Sequence, residues 1–173
     1  MSFIYSKTEE IIKKYNTRDP FELLDAIGAI TKISYEYSAT GLKGYCAIMN
    51  RTMYAVINGK LCDIDRRIAA GHEAAHLILH RHHIMNNALK AMYDFDLYNS
   101  NRRAEREANS FLADFIVPDE DVLDILTASR DYFAAASELL IPAPLFAFKL
   151  YSMMQRGYQV SNPIALDSGF LLN

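Results

Sequence analysis

The chain has 173 residues, 51% of them hydrophobic, with a net charge of −3 and a sequence pI of about 5.9. That is enough apolar material for one unit with its own core, and the charge lacks the basic footprint that direct nucleic-acid binding needs. Two cysteines without a CxxC pair, no basic-then-apolar leader and no uncharged apolar run of spanning length point to a cytoplasmic protein with reduced thiols and no membrane segment.

In chain order, Ser6 to Tyr15 reads as an amphipathic helix with Ile11, Ile12 and Tyr15 at helical spacing. Asp19-Pro20 offers an N-cap and a first-turn proline for a second helix running through Ile30. Three β-rich runs follow, KISYEY, GYCAIM and TMYAVI, with Asn50-Arg51 and Asn58-Gly59 as turns; they predict a small antiparallel sheet. TMYAVI, just before the next helix, is a candidate edge strand for an extended ligand, with a fully paired strand as the alternative.

Asp63 or Asp65 could cap the next helix, whose apolar positions include Ile64, Ile68, Ala75 and Leu79. Another helix spans Arg102 to Ile116 and stops before Pro118. Two or three further helices occupy the remainder, broken at Pro142 and Pro144, and Asn162-Pro163 opens an irregular tail. The fold class is therefore α+β, one domain over residues 1–173. Residues 1–60 make helices and sheet, 61–118 the central helices, and 119–173 C-terminal helices and the tail.

All five histidines lie in GHEAAHLILHRHH, from Gly71 to His83. His72-Glu73-Ala74-Ala75-His76 matches H-E-x-x-H. On a helix, positions four apart stack on one face, so both imidazoles can address a single metal ion, with Glu73 flanking it as a proton acceptor. The competing reading is a polar helix face without metal. His80 lies about 12 Å along the axis from His72, too far to share an ion with it, and reads as a packed or supporting residue. His83 reads as a solvated helix-end residue. His82 falls where an H-E-x-x-H-x-x-G-x-x-H site puts its third ligand. That site needs glycine where this chain has Leu79, so a third ligand is expected elsewhere.

The segment RRAEREANSFLADFIVP supplies candidates. Its apolar side carries Ala104, Ala108, Phe111, Leu112 and Phe115, with Glu105 at the edge, while Glu107 points towards Arg103 and Asp114 as a surface charge. A carboxylate at a buried edge needs a partner, so Glu105 is the candidate ligand and an ion pair with Arg102 or Arg106 is the alternative. Asn109, one turn on, could accept a hydrogen bond from a ligating imidazole.

Two histidines and a glutamate on successive helices are similar to the gluzincin arrangement. More closely, the chain resembles the ImmA/IrrE family of metallo-endopeptidases, through DPFELLDAIGA, KGYCAIMNRTMYAVIN, RRIAAGHEAAHLILH and EREANSFLADFIVP. The resemblance covers most of residues 10 to 118. It implies His72, His76 and Glu105 as metal ligands and Glu73 as catalytic acid/base. Ala74-Ala75, Leu112-Ala113 and Ile116-Val117 depart from the family's usual residues without removing any of these four.

Three protein ligands leave one position open for water, as in catalytic zinc sites, and the resemblance implies zinc-dependent peptide hydrolysis, with manganese or iron compatible with the same ligands. The resemblance further implies a protein substrate supplied in trans, a helix-turn-helix repressor of a phage or mobile element. A metal-stabilised binding module acting as an anti-repressor, and a small-molecule zinc hydrolase, are the competing classes. Oxyanion donors are sought among Tyr93, Tyr98 and the sheet tyrosines, and a substrate-gripping lid in residues 84–101.

Overall fold

The computed structural model describes residues 3–86, 102–128 and 131–161. Their elements run α1 (Phe3–Tyr15), α2 (Pro20–Ala26), β1 (Ile30–Ser34), β2 (Gly44–Met49), β3 (Thr52–Asn58), α3 (Asp63–Leu79) and α4 (Arg81–Asn86). After these come α5 (Arg102–Ile116), α6 (Asp119–Ala128), α7 (Tyr132–Glu138) and α8 (Ala143–Gln155). Tyr93 and Tyr98, most of the proposed lid and the Asn162-Pro163 tail lie outside the described residues.

The α+β class holds, but the sheet is mixed rather than wholly antiparallel. Its order is β1-β3-β2, with β2 antiparallel and β1 parallel to β3. Consecutive strands alternate in direction, so β1 and β3 point the same way; inserting β3 between its predecessors makes the β1–β3 pair parallel. The β2–β3 turn is Asn50-Arg51, with φ of 51° and 66° at the two residues. Both values are positive, as the hairpin turn that matches strand twist requires. Asn58 is fully buried and holds the preceding loop through Nδ2, which donates to the Ser38 and Leu42 carbonyls at 2.8 and 2.9 Å. The TMYAVI run is consequently the central, paired strand, and the edge facing away from it belongs to β2.

Helix starts follow local chemistry. The Asp19 carboxylate accepts from the Phe21 and Glu22 amides at 2.8 and 3.1 Å, capping α2 with Pro20 at its first position. That helix ends at Ala26, short of the predicted Ile30, because Gly28 takes a φ of 78° that reverses the chain into β1. The cap of α3 is Cys62, whose Sγ accepts from the Asp65 amide at 3.5 Å. Asp63 and Asp65 sit instead in the first turn, where their charge suits the helix dipole.

Helix α3 lies at the centre, packed on α2, α5, β2 and β3. Fully buried Leu23, Leu24, Ile57, Ile68, Leu77 and Leu112 fill these interfaces. Helix α5 is covered on its other side by α1 and α8. There the buried Asp114 accepts from Lys149 Nζ at 3.1 Å and Ser152 Oγ at 2.6 Å. Asp119 joins this cluster through Lys149, at 2.7 Å, and Arg156. Asp114, read from the sequence as lying on the solvated side, is thus inside the protein. No single helix among the described residues is long and apolar enough to cross a membrane.

Candidate metal centre

His72 and His76 stand one turn apart on α3, and Glu105 faces them from the first turn of α5. His72 Nε2 and His76 Nε2 are 3.0 Å apart; Glu105 Oε2 lies 3.1 Å from the first and Oε1 3.2 Å from the second. His72 and Glu105 are 5% and 6% exposed, so this is an interior cluster.

The tautomers decide what the cluster can do. The His72 ring nitrogen that faces away, Nδ1, is 3.0 Å from Asn109 Oδ1. A carbonyl oxygen only accepts, so Nδ1 carries the hydrogen and Nε2 presents a lone pair to the cluster. With His76 in the same tautomer, two imidazoles and a carboxylate aim acceptor atoms at one point with no hydrogen between them. A divalent ion satisfies all three. Ligands about 2.0 Å from a tetrahedral ion are themselves roughly 3.3 Å apart, close to the observed spacing. Among the described residues, these three form the group of histidine and carboxylate side chains placed to hold a metal ion.

The electrostatics agree. Burial would lower the His72 pKa, but Glu105, which accepts from the ring when it is protonated, and the charges of Glu73 and Glu105 outweigh that and leave it raised, so in the absence of an ion the site draws a proton instead. Burial would raise the Glu105 pKa, yet the hydrogen bonds and charges of His72 and His76 hold it far below the carboxylate range. Both shifts show a site that favours positive charge at its centre.

Glu73, the residue after His72, turns towards β2 and is buried. A Cβ on Gly44 would lie 3.5 Å from Glu73 Cγ and 3.1 Å from the Val56 carbonyl oxygen. Glycine there leaves room for the glutamate beneath the strand. Two residues on, and so on the same face of β2, Cys46 donates its thiol hydrogen to Glu73. Burial first, then the charge and hydrogen bond of Glu73, push the Cys46 thiol well up, so it remains a protonated donor. Sequence reasoning missed this pairing. The two-residue alternation from Gly44 to Cys46 was its only trace.

The other candidates separate. His82 and His83 are exposed on α4, and His82 does not join the cluster, which removes the structural basis for a third ligand from that position. His80 ends α3 with Nδ1 3.1 Å from His76 Nδ1 and Nε2 3.1 Å from Glu107 Oε2. Burial lowers the His80 pKa by more than Glu107 restores. Glu107 is therefore no simple surface charge: its side chain is 27% exposed and held between His80 and Arg103.

The model of the IrrE N-terminal-like domain, peptidase family M78, matches residues 30–134. The chain belongs to this family. The match runs from β1 into α7 and includes both helices of the cluster. The uncharacterized immunity region protein 2 of Bacillus phage phi105 is 29% identical over 119 residues, covering 68% of the M78 chain and 70% of that protein. No solved structure matches.

Proposed function

We propose that this M78-family chain is a zinc-dependent endopeptidase, a single catalytic unit, that cleaves a helix-turn-helix repressor of a phage or mobile element. The observation that carries the proposal is the convergence of His72 Nε2, His76 Nε2 and the Glu105 carboxylate, whose Oε2 lies 3.1 Å from the first and Oε1 3.2 Å from the second, with buried Glu73 next to His72 in the chain. Zinc held by His72, His76 and Glu105 would supply Lewis acidity to the scissile carbonyl and to water. Glu73 takes the proton from the attacking water as its oxygen bonds to the carbonyl carbon. It then delivers that proton to the amine as the C–N bond breaks. Cys46 and the β2 backbone hold Glu73 in place for both transfers.

Extended substrate pairs with the outer edge of β2, the strand lying over Glu73, since no other described strand occupies that edge. A strand edge beside Glu73 favours a polypeptide, which can pair with it, over a small molecule. Support for a repressor as substrate comes from the ImmA/IrrE resemblance and from the immunity-region name of the phage relative.

The test compares wild type with Glu73→Gln for metal content and for cleavage of the repressor encoded beside it. Both proteins should carry about one zinc per chain. Cleavage should fall by about 10²–10⁴ in the variant. Absence of metal from folded wild type supplied with zinc would end the hydrolase reading. A Glu73→Gln protein that still relieved repression fully would replace it with a binding module acting by contact.

A further inference from the structure

The two histidines of the cluster are oriented by different means. His72 leans directly on Asn109, whereas His76 is backed by a chain of three side chains. Arg103 Nε donates to Glu107 Oε1 at 2.7 Å, Glu107 Oε2 lies 3.1 Å from His80 Nε2, and His80 Nδ1 lies 3.1 Å from His76 Nδ1. The chain has one consistent arrangement of hydrogens. A carboxylate paired with arginine only accepts, so the His80 hydrogen is on Nε2. With its ring hydrogen given to Glu107, His80 accepts at Nδ1, and the hydrogen between the two Nδ1 atoms belongs to His76. Nε2 of His76 is left with its lone pair, pointing at His72 Nε2 and Glu105 Oε1.

We infer that His80 and Glu107 are positioning residues of the metal centre, locking His76 in the Nδ1–H tautomer so that its Nε2 is always presented as a ligand. The inference rests on the metal reading of the His72–His76–Glu105 cluster. It adds two residues that touch neither ion nor substrate. Without them, His76 is free to rotate and to place its hydrogen on Nε2, where it cannot ligate.

Two measurements test this. Long-range proton–nitrogen NMR of the histidine rings in zinc-loaded wild type should show His76 as Nδ1–H and His80 as Nε2–H. Zinc affinity, measured by competition with a chromophoric chelator, should fall about 10–100-fold in His80→Leu. It should stay close to wild type in His80→Asn, whose Oδ1 occupies the place of the imidazole Nδ1 and still accepts from His76. A purely space-filling His80 would give the reverse order, since leucine fills the apolar contact better than asparagine.

Equal zinc affinity in wild type and His80→Leu, or a His80 found as the Nδ1–H tautomer, overturns the inference while leaving the metal site standing. Failure of wild type to bind zinc overturns both. Should His80→Leu not fold, the wild-type NMR tautomers and the His80→Asn affinity still decide.

Discussion

Gly71→Ala tests how tightly the two cluster helices must approach. A Cβ at position 71 would lie 2.4 Å from Leu112 Cδ1 on α5, and 3.3 and 3.5 Å from Cγ and Cβ of Pro20. Carbon atoms settle at about 3.5–4.0 Å, so the Leu112 methyl must yield by roughly 1 Å. Leu112 is fully buried, and no open solvent receives it. Alanine gains about 1 kcal/mol over glycine in a helix, against about 1–3 kcal/mol for overpacking, leaving metal-free stability lower by about 0–2 kcal/mol. The effect on the site is larger in kind. Leu112 and Glu105 lie two turns apart along α5, so pushing α5 off α3 widens the 3.1 Å gap between Glu105 and His72. Every 1.4 kcal/mol of strain released by separating the helices costs about tenfold in metal affinity, which puts the loss at roughly 5–150-fold. Urea denaturation of the metal-free protein and chelator competition for zinc measure the two effects separately. Adding Leu112→Ala should recover much of the affinity while costing the core about 2–5 kcal/mol. A Gly71→Ala protein more stable than wild type and equally tight for zinc would refute the argument, because the contact would then set no helix spacing.

Other expectations concern the ion network and the bound metal. Asp114 and Lys149 are almost wholly buried, so Asp114→Leu or Lys149→Met alone should cost about 3–5 kcal/mol, and the pair together much less, by thermal and urea denaturation. Burial would raise the Asp119 pKa, but Arg156 and Lys149 hold it well below the carboxylate range. Its contribution is therefore complete above the unfolded pKa of about 3.9 and is lost as pH falls below that value. Unfolding free energies at pH 7 and pH 3 should differ less in Asp119→Asn than in wild type; equal differences would remove Asp119 from the account of acid sensitivity. Free zinc at about 100 times its Kd should stabilise the protein by about 2.7 kcal/mol, raising Tm by roughly 5–11 °C. A chelator should reverse that shift, and Glu105→Gln should lack most of it.

The legible parts of this chain were those fixed by short-range chemistry. H-E-x-x-H needs only helical periodicity to bring His72 and His76 onto one face, and the wheel from Arg102 to Ile116 put Glu105 and Asn109 on the side that turns inward. The Asp19-Pro20 start of α2 was equally local. What stayed hidden depended on distant neighbours. β1 and β3 are parallel because β3 inserts between its predecessors, which no pairwise strand pattern reveals. Asp114 looked like a surface acid because one wheel cannot show that α8 brings Lys149 to the opposite side. Glu107 was misjudged for a related reason: it sits about 200° around the helix from Glu105, yet His80 reaches it from the end of α3.

Helix α5 carries a ligand candidate, Glu105, the acceptor for His72, Asn109, and the outer support of His76, Glu107 acting through His80. Helix α3 on its own offers two imidazoles whose tautomers nothing fixes. The donor set exists only once α5 has docked, and the docking distance is set by Gly71 against Leu112. In the proposed centre, metal binding and the α3–α5 contact are therefore one equilibrium. Any substitution that loosens the contact weakens the metal, and bound metal strengthens the contact by the same free energy. Glu73, the proposed proton acceptor, is outside this coupling, because β2, through Gly44 and Cys46, packs on it from the opposite side. Substitutions on α5 should therefore act on metal affinity, and substitutions in β2 on turnover of the loaded enzyme.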